Sequence, residues 1–282
     1  PRLRRATVAW SPSSNGKFIF GQDWDIVSPL APHTYDLVGH FFEAGDIGFM
    51  RQQLQGIFRT GSWETAVALG LPVANSLAAD NNVELSLLPT LAVRETYKAE
   101  GWEFGASGIV TSLRAAKSSA DRVLSGALTL FGDFKMGGFE FRSEAYVGQN
   151  TVNLGMLGLS FCRVGNVPAE AGAYVSGRNQ MGNWGAFGSL GVAGILNPSV
   201  MLPSYSGAAL SSTGPGIESN WTAHLGLDHK LAENSVLFAE LSYWNTRHHL
   251  AAAHVRDVAA APLVETHQHR PLLRHPTHRE SG

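Results

Sequence analysis

The chain has 282 residues and a formal net charge of -2 at pH 7, with only 16% charged residues, where soluble domains average about 25%. Near-neutral charge excludes the basic footprint of a nucleic-acid binder, the single cysteine excludes a disulfide framework or a cysteine zinc cage, and no apolar run reaches the roughly 18 residues of a transmembrane helix. The chain is rich in Gly and aromatics, with 31 Gly, 14 Phe and 7 Trp, and its length suits one large β domain or two smaller ones. The first residues, Pro1-Arg-Leu-Arg-Arg5, run directly into Ala6–Trp10 without the parts of a signal peptide, so any export signal is expected outside this chain.

Along the chain the dominant period is two. Residues 4–10, 17–24 and 49–60 read as strands, followed by 63–72, in which Trp63, Thr65, Val67, Leu69 and Leu71 share one face and Glu64, Ala66, Ala68 and Gly70 the other. Residues 83–98 and 102–116 continue the pattern, the latter with Trp102, Phe104, Ala106 and Val110 opposite Glu103, Gly105, Ser107 and Thr111. Residues 122–136 set Leu128, Leu130, Phe134 and Met136 against Thr129, Asp133 and Lys135. Residues 139–150 set Phe139, Phe141, Ala145 and Val147 against Glu140, Arg142 and Glu144. Residues 184–196, 220–230 and 235–247 complete eleven strands, and a twelfth, weaker strand is predicted within 199–210. Charges on alternate positions require water on that face.

Short turns at 11–16, 61–62, 99–101, 137–138 and 231–234 alternate with longer connections at 25–48, 73–82, 117–121 and 151–183. Tight turns at one rim and long loops at the other are the pattern of an antiparallel outer-membrane barrel. Trp10, Trp24, Trp63, Tyr97, Trp102, Trp184, Trp221, Tyr243 and Trp244 lie near strand ends, as interfacial girdles require.

The stretch Phe20-Gly-Gln-Asp-Trp-Asp-Ile-Val-Ser-Pro-Leu30 resembles the "GQ-W-D-FSPL" signature of DcaP-like bacterial outer-membrane porins, and Gly45–Gln53 resembles the segment after it. Arg2–Ala6 and Leu237–Thr246 are similar to the strand before the signature and to the penultimate strand of that family. The resemblance extends over about residues 1 to 247 and implies an all-β, antiparallel meander barrel of sixteen strands, assembled as a homotrimer in the bacterial outer membrane, through which small anionic solutes such as dicarboxylates pass. On that reading, twelve strands belong to this chain, three precede it and one follows it. Residues 248–282 depart from the family: alternation stops at Leu250, aromatics are absent, and seven of the eleven His lie there. This tail is expected to be irregular and non-native or disordered rather than a metal site, for no carboxylate or thiolate cluster accompanies the histidines.

The period-two assignment turns Arg51, Gln53, Gln55, Arg59, Glu64, Glu84, Arg94, Glu103, Asp133, Lys135, Glu140, Arg142 and Glu144 toward a water-filled lumen, where charge lines a path rather than making bonds. Arg51 and Arg59 share a face but stand about 27 Å apart along the strand, so they border the lumen at different depths. Arg51 is read as a lumen residue or as half of a salt bridge to a neighbouring strand. The connection 25–48, with Asp25, Pro29, Pro32, His33, Tyr35, Asp36, His40, Phe41 and Phe42, is too apolar for a solvated loop. It is expected to fold inward as a constriction or to pack against a neighbouring subunit.

No cofactor, metal or nucleic acid is expected; the partners are a lipid bilayer and small hydrophilic solutes. Two other readings compete. A membrane-barrel hydrolase lacks a G-x-S-x-G elbow, and His224 and His229 have no evident serine partner. A soluble β-sandwich for binding or adhesion predicts a monomer soluble without detergent, with strands partly buried on both faces.

Overall fold

A computed structural model describes residues 5–35, 39–71, 88–114, 122–154, 158–159, 168–198, 217–232 and 235–248. Asp36, Glu84, residues 199–210 and the tail from residue 249 lie outside the described residues. The strands are β1 (Ala6–Ser13), β2 (Gly16–Trp24), β3 (Met50–Thr60), β4 (Trp63–Gly70), β5 (Thr90–Ala99), β6 (Trp102–Arg114), β7 (Arg122–Met136), β8 (Phe139–Gln149), β9 (Ala169–Met181), β10 (Trp184–Ile195), β11 (Ile217–Ala232) and β12 (Ser235–His248). All twelve join one sheet in chain order, each antiparallel to the next. One continuous meander excludes the two stacked layers of a sandwich.

Hairpin turns gather at one rim. Gly61, Gly101, Gly137 and Gly182 adopt left-handed φ values of 59°, 77°, 60° and 60° there, a region that other residues enter at a cost. The strand ends that lead into the longer connections lie at the other rim.

Among the described residues there are twelve strands, the number expected, but the twelfth is not where the sequence placed it. Strands β10 and β11 pair directly from Trp184↔His229 to Gly194↔Ser219, leaving no room for a strand between them. The missing strand is β9, inside the span read as a long connection, joined to β8 from Phe139↔Asn179 to Gln149↔Ala169 and to β10 through the Gly182-Asn183 turn. Its outward positions are Ala169, Ala171, Ala173, Val175, Gly177, Asn179 and Met181. Most are too small to produce the apolar alternation that marks the other strands.

Register puts every directly opposed pair on one face. The outer face carries Leu128 (65% exposed), Leu225 (68%) and Leu241 (76%), together with Trp63, Trp102, Trp184 and Trp221. The inner face buries Glu144 (2%), Thr129 (1%), Glu170 and Asn220 (both 0%). This distribution inverts that of a water-soluble fold, and an apolar belt running along most of the sheet is far larger than the patches a soluble monomer exposes. The buried apolar cluster lies on the inner face, where Ile26, Val27 and Ile47 from the connection after β2 pack on Ala66, Ala68, Ala92, Ile109 and Ala127. That connection therefore folds inward. Gly191 permits its close approach: a Cβ at that position would fall on the Ala44 carbonyl oxygen.

Substituting Leu128 by Arg on the outer face should cost the full-length protein about 2–4 kcal/mol of folding free energy in lipid vesicles, read from urea titration. An unchanged midpoint would contradict the assignment of that face.

Candidate functional site

The inward segment begins and ends at one clamp. Asp25 follows β2; its Oδ1 accepts from the backbone N–H of Val27 (3.0 Å) and Ser28 (3.4 Å), and its Oδ2 accepts from the N–H of Phe49 (3.1 Å) and from Arg51 (3.4 Å). The N–H of Asp25 donates to the Phe49 carbonyl at 2.9 Å. One carboxylate thus closes the neck of a loop spanning residues 26–48. Arg51, Gln53 and Gln55 lie on the inner face and all are buried. Arg51 forms a salt bridge at 3.4 Å with Asp25, which lies in the loop just past the end of β2 rather than in a neighbouring strand. Gln53 donates to the carbonyls of Asp23 (3.1 Å) and Trp24 (2.7 Å), and Gln55 donates to that of Trp24 (3.0 Å). These three side chains hold the loop's base.

From this neck the loop crosses the inner face. Ser107 of β6 donates to the Val27 carbonyl, and Arg142 of β8 donates to that of Ala31 (3.0 Å). The His33 N–H donates to Ser176 of β9, and Ser189 of β10 donates to the His33 carbonyl, both at 2.7 Å. Thr34 Oγ1 and the Tyr35 N–H each donate to Glu240 of β12 at 2.6 Å. The Tyr35 hydroxyl donates to Asp228 of β11 (3.3 Å), and its ring stacks on Phe238 at 4.2 Å. On the return, the His40 ring meets Trp244 at 4.7 Å and Phe41 meets His224 at 4.7 Å. Through these polar and ring contacts the loop reaches β6 and every strand from β8 to β12, besides its apolar packing on β4 to β7. The walls of β2, β4 and β5 receive none of these bonds.

Two carboxyl groups meet at Ser28, whose hydroxyl lies 3.1 Å from Asp46 Oδ1 and also bonds Glu144. A hydroxyl has one proton to donate, so protonation of one of the two carboxyls completes the set. Burial pushes the Asp46 carboxyl up from 3.8 to about 7, and nearby Asp25 adds to the rise, against hydrogen bonds from Gly48 N–H and Ser28. Burial, followed by the Arg142 charge, lowers His33 from 6.5 to about 4, so its ring is neutral at pH 7.

Toward the tight-turn rim the inner wall is a band of paired charges. Glu64 accepts from Arg59 (2.8 Å), Arg94 (3.1 Å) and Lys98 (3.1 Å), while Glu103 lies 3.8 Å from Lys98. Across the sheet, Lys135 bridges Asp133 and Glu140 at 3.0 Å each, and Arg142 lies 2.7 Å from Glu140. All twelve predicted lumen residues within the described chain face inward, but they form three groups: the neck, a Glu64 cluster and an Asp133–Arg142 cluster; Glu144 lies under the loop.

Several residues of the site are missed by sequence reasoning. Tyr174, Ser176 and Arg178 were hidden with β9; Arg178 pairs with Asp228 at 2.8 Å. His224, Asp228 and Glu240 occupy inward positions that parity with Trp221, Leu225 and Leu241 would have assigned. His224 bonds Glu240 through Nδ1 and lies 2.9 Å from Thr222 Oγ1 through Nε2. This order of groups resembles a nucleophile, base and orienting acid. Thr222 and the His224 side chain are, however, wholly buried, and the Thr222 hydroxyl donates to the Tyr243 carbonyl at 3.0 Å. The cluster ties β11 and β12 to the loop and offers no path to a substrate.

Among solved structures, the chain is similar to the outer-membrane channel DcaP of Acinetobacter baumannii, with TM-score 0.67 and 13% identity over 82% of this chain and 66% of that one. It is also similar to an anion-selective porin from Comamonas acidovorans (TM-score 0.57, 11% identity, 86% of this chain and 68% of the other). Outer-membrane OmpT of Vibrio cholerae gives TM-score 0.54 and 12% identity over 88% and 72%. No family model and no curated protein matches. The chain has the fold of these outer-membrane β-barrels and spans just under two thirds of the length of the DcaP channel.

Asp46 and His33 give opposite pH dependences. A carboxyl raised from 3.8 to about 7 binds a proton in the folded state that the unfolded chain has lost, so its contribution falls as pH rises across that window. A histidine lowered from 6.5 to about 4 is neutral when folded but charged when unfolded, so its contribution falls as pH drops through its window. Between pH 4 and 6.5 the two should largely cancel. Heat-modifiable gel migration of the full-length protein should show Asp46→Asn gaining stability with rising pH and His33→Gln losing it. Slopes of the same sign would contradict the assignments.

Proposed function

We propose that the full-length protein is a porin of the bacterial outer membrane, an aqueous channel for passive uptake of small hydrophilic, preferentially anionic solutes, carboxylates among them. The observation that carries this reading is the loop 25–48 lying across the polar inner face of a sheet whose outer face is apolar. Of the predicted constriction residues, Asp25, His33, Tyr35 and His40 belong to that loop. The loop is bonded to β8 to β12 and packs on the alanines of β4 and β5, so the passage runs past the charged, tight-turn ends of β3 to β5, where Arg59, Arg94 and Lys98 outnumber Glu64. A surplus of cations along a narrow aqueous path favours anions. The tight turns face the periplasm and the long connections the exterior. Assembly as a homotrimer is part of the same proposal, implied by the resemblance to the DcaP-like family. The similarity to an anion-selective porin supports the choice of solute class.

In planar bilayers, the full-length protein should conduct with a reversal potential favouring anions, and Arg94→Ala should move that potential toward cations. Arg51→Ala, by loosening the neck at Asp25, should raise single-channel conductance. Absence of conductance would overturn the channel, and an Arg94→Ala potential equal to wild type would overturn the role of the basic wall.

A further inference from the structure

At the tight-turn rim of the inner face, below the inward loop, lies a cavity of about 260 Å³ whose lining includes Ser11, Ser13, Lys17, Arg59, Glu64 and Lys98. The end of β1 supplies the serines and β2 supplies Lys17. Strands β3, β4 and β5 supply Arg59, Glu64 and Lys98. Three cations face one carboxylate.

That carboxylate is already shared. Glu64 is buried and receives Arg59, Lys98 and also Arg94 from the adjoining wall. Arg59 reaches it through Nε, while 63% of the Arg59 side chain is exposed. Lys98 divides its ammonium between Glu64 and Glu103. Lys17 has no ion-pair partner among the described residues, and its place between Phe18 and Gly16 in β2, opposite Ile57, turns it to the inner face. The pocket thus holds excess positive charge and hydroxyl donors, with Ile57 as its sole bulky apolar wall. A cation is repelled there, and an uncharged apolar solute finds little surface. A group with two or three anionic oxygens can accept from Lys17, from the terminal nitrogens of Arg59 and from a serine, as charge-assisted bonds favour.

We propose that this cavity is a binding station for a single oxyanion group, carboxylate or phosphate, of a solute at the tight-turn mouth of the pore. The proposal rests on the channel reading for its biological meaning, but binding can be measured without conduction. Lys17 is exposed and makes no ion pair among the described residues, so its removal weakens the station without unpicking the fold.

The test is equilibrium dialysis of radiolabelled succinate, and separately of inorganic phosphate, against detergent-solubilised full-length protein in zwitterionic detergent free of lipid. The variants are Lys17→Gln and, as a control, Lys230→Gln, an exposed lysine on the same tight-turn rim but on β11, across the sheet from the cavity. Unboiled gel migration verifies that each variant folds. At least one of the two anions should bind to wild type and to Lys230→Gln alike, with affinity reduced fivefold or more in Lys17→Gln; which anion it is distinguishes carboxylate from phosphate. No saturable binding of either anion, or equal losses in both variants, overturns the station. If binding follows Lys17 while the protein carries no current, the station stands and the channel reading fails. A conducting pore whose anion binding is indifferent to Lys17 overturns the station and leaves the channel standing.

Discussion

Everything in this fold depends on each strand meeting two different media. A strand turns successive side chains to opposite faces, so a one-residue slip would exchange all the Leu and Trp of the outer face for the Asp, Glu, Lys and Arg of the inner one. Such an error is expensive on both sides: charges would enter hydrocarbon, and bulky apolar groups would face water. Register is therefore specified by the pattern of the whole strand rather than by any one contact. The uninterrupted pairings from β6 to β7 and from β10 to β11 are its outcome.

The same constraint explains why the segment after β2 can be both apolar and inward. An inner face lined with Ala66, Ala68, Ala92 and Ala127 leaves room for a second layer, and Ile26, Val27 and Ile47 fill it. Backbone groups in such a loop need partners wherever water is displaced. Asp25 satisfies three N–H groups at the neck, while Ser176, Ser189 and Glu240 serve the His33, Thr34 and Tyr35 region. The loop leaves the charged wall around Glu64 uncovered. That asymmetry, an inner face filled along most of its length but open at the charged end of β3 to β5, is what makes a constriction physically sensible.

How much of this was legible in the sequence follows from where the signal resides. Parity is local, so Glu64, Glu103, Asp133 and Glu144 could be assigned to the wet face from their own strands. The failure at β9 has the same origin: with Ala169, Ala171, Ala173 and Gly177 on the lipid side, alternation loses its apolar half. The course of the loop is not local. That His33 meets Ser176 and Ser189, or that Tyr35 meets Asp228, joins residues more than 140 positions apart, and no spacing rule connects them. Arg51 illustrates the boundary between the two. Its face was predictable, yet its partner, Asp25, became evident only once the neck had closed.

The most direct test of the central claim is a nitroxide scan along β7 in vesicles, using the full-length protein with Cys162 replaced by Ser and single cysteines at Leu128, Thr129, Leu130, Asp133 and Phe134. Collision with oxygen, which concentrates in the bilayer, should be high at 128, 130 and 134 and low at 129 and 133. A flat profile, or one with the opposite phase, would contradict the assignment of lipid and water to the two faces.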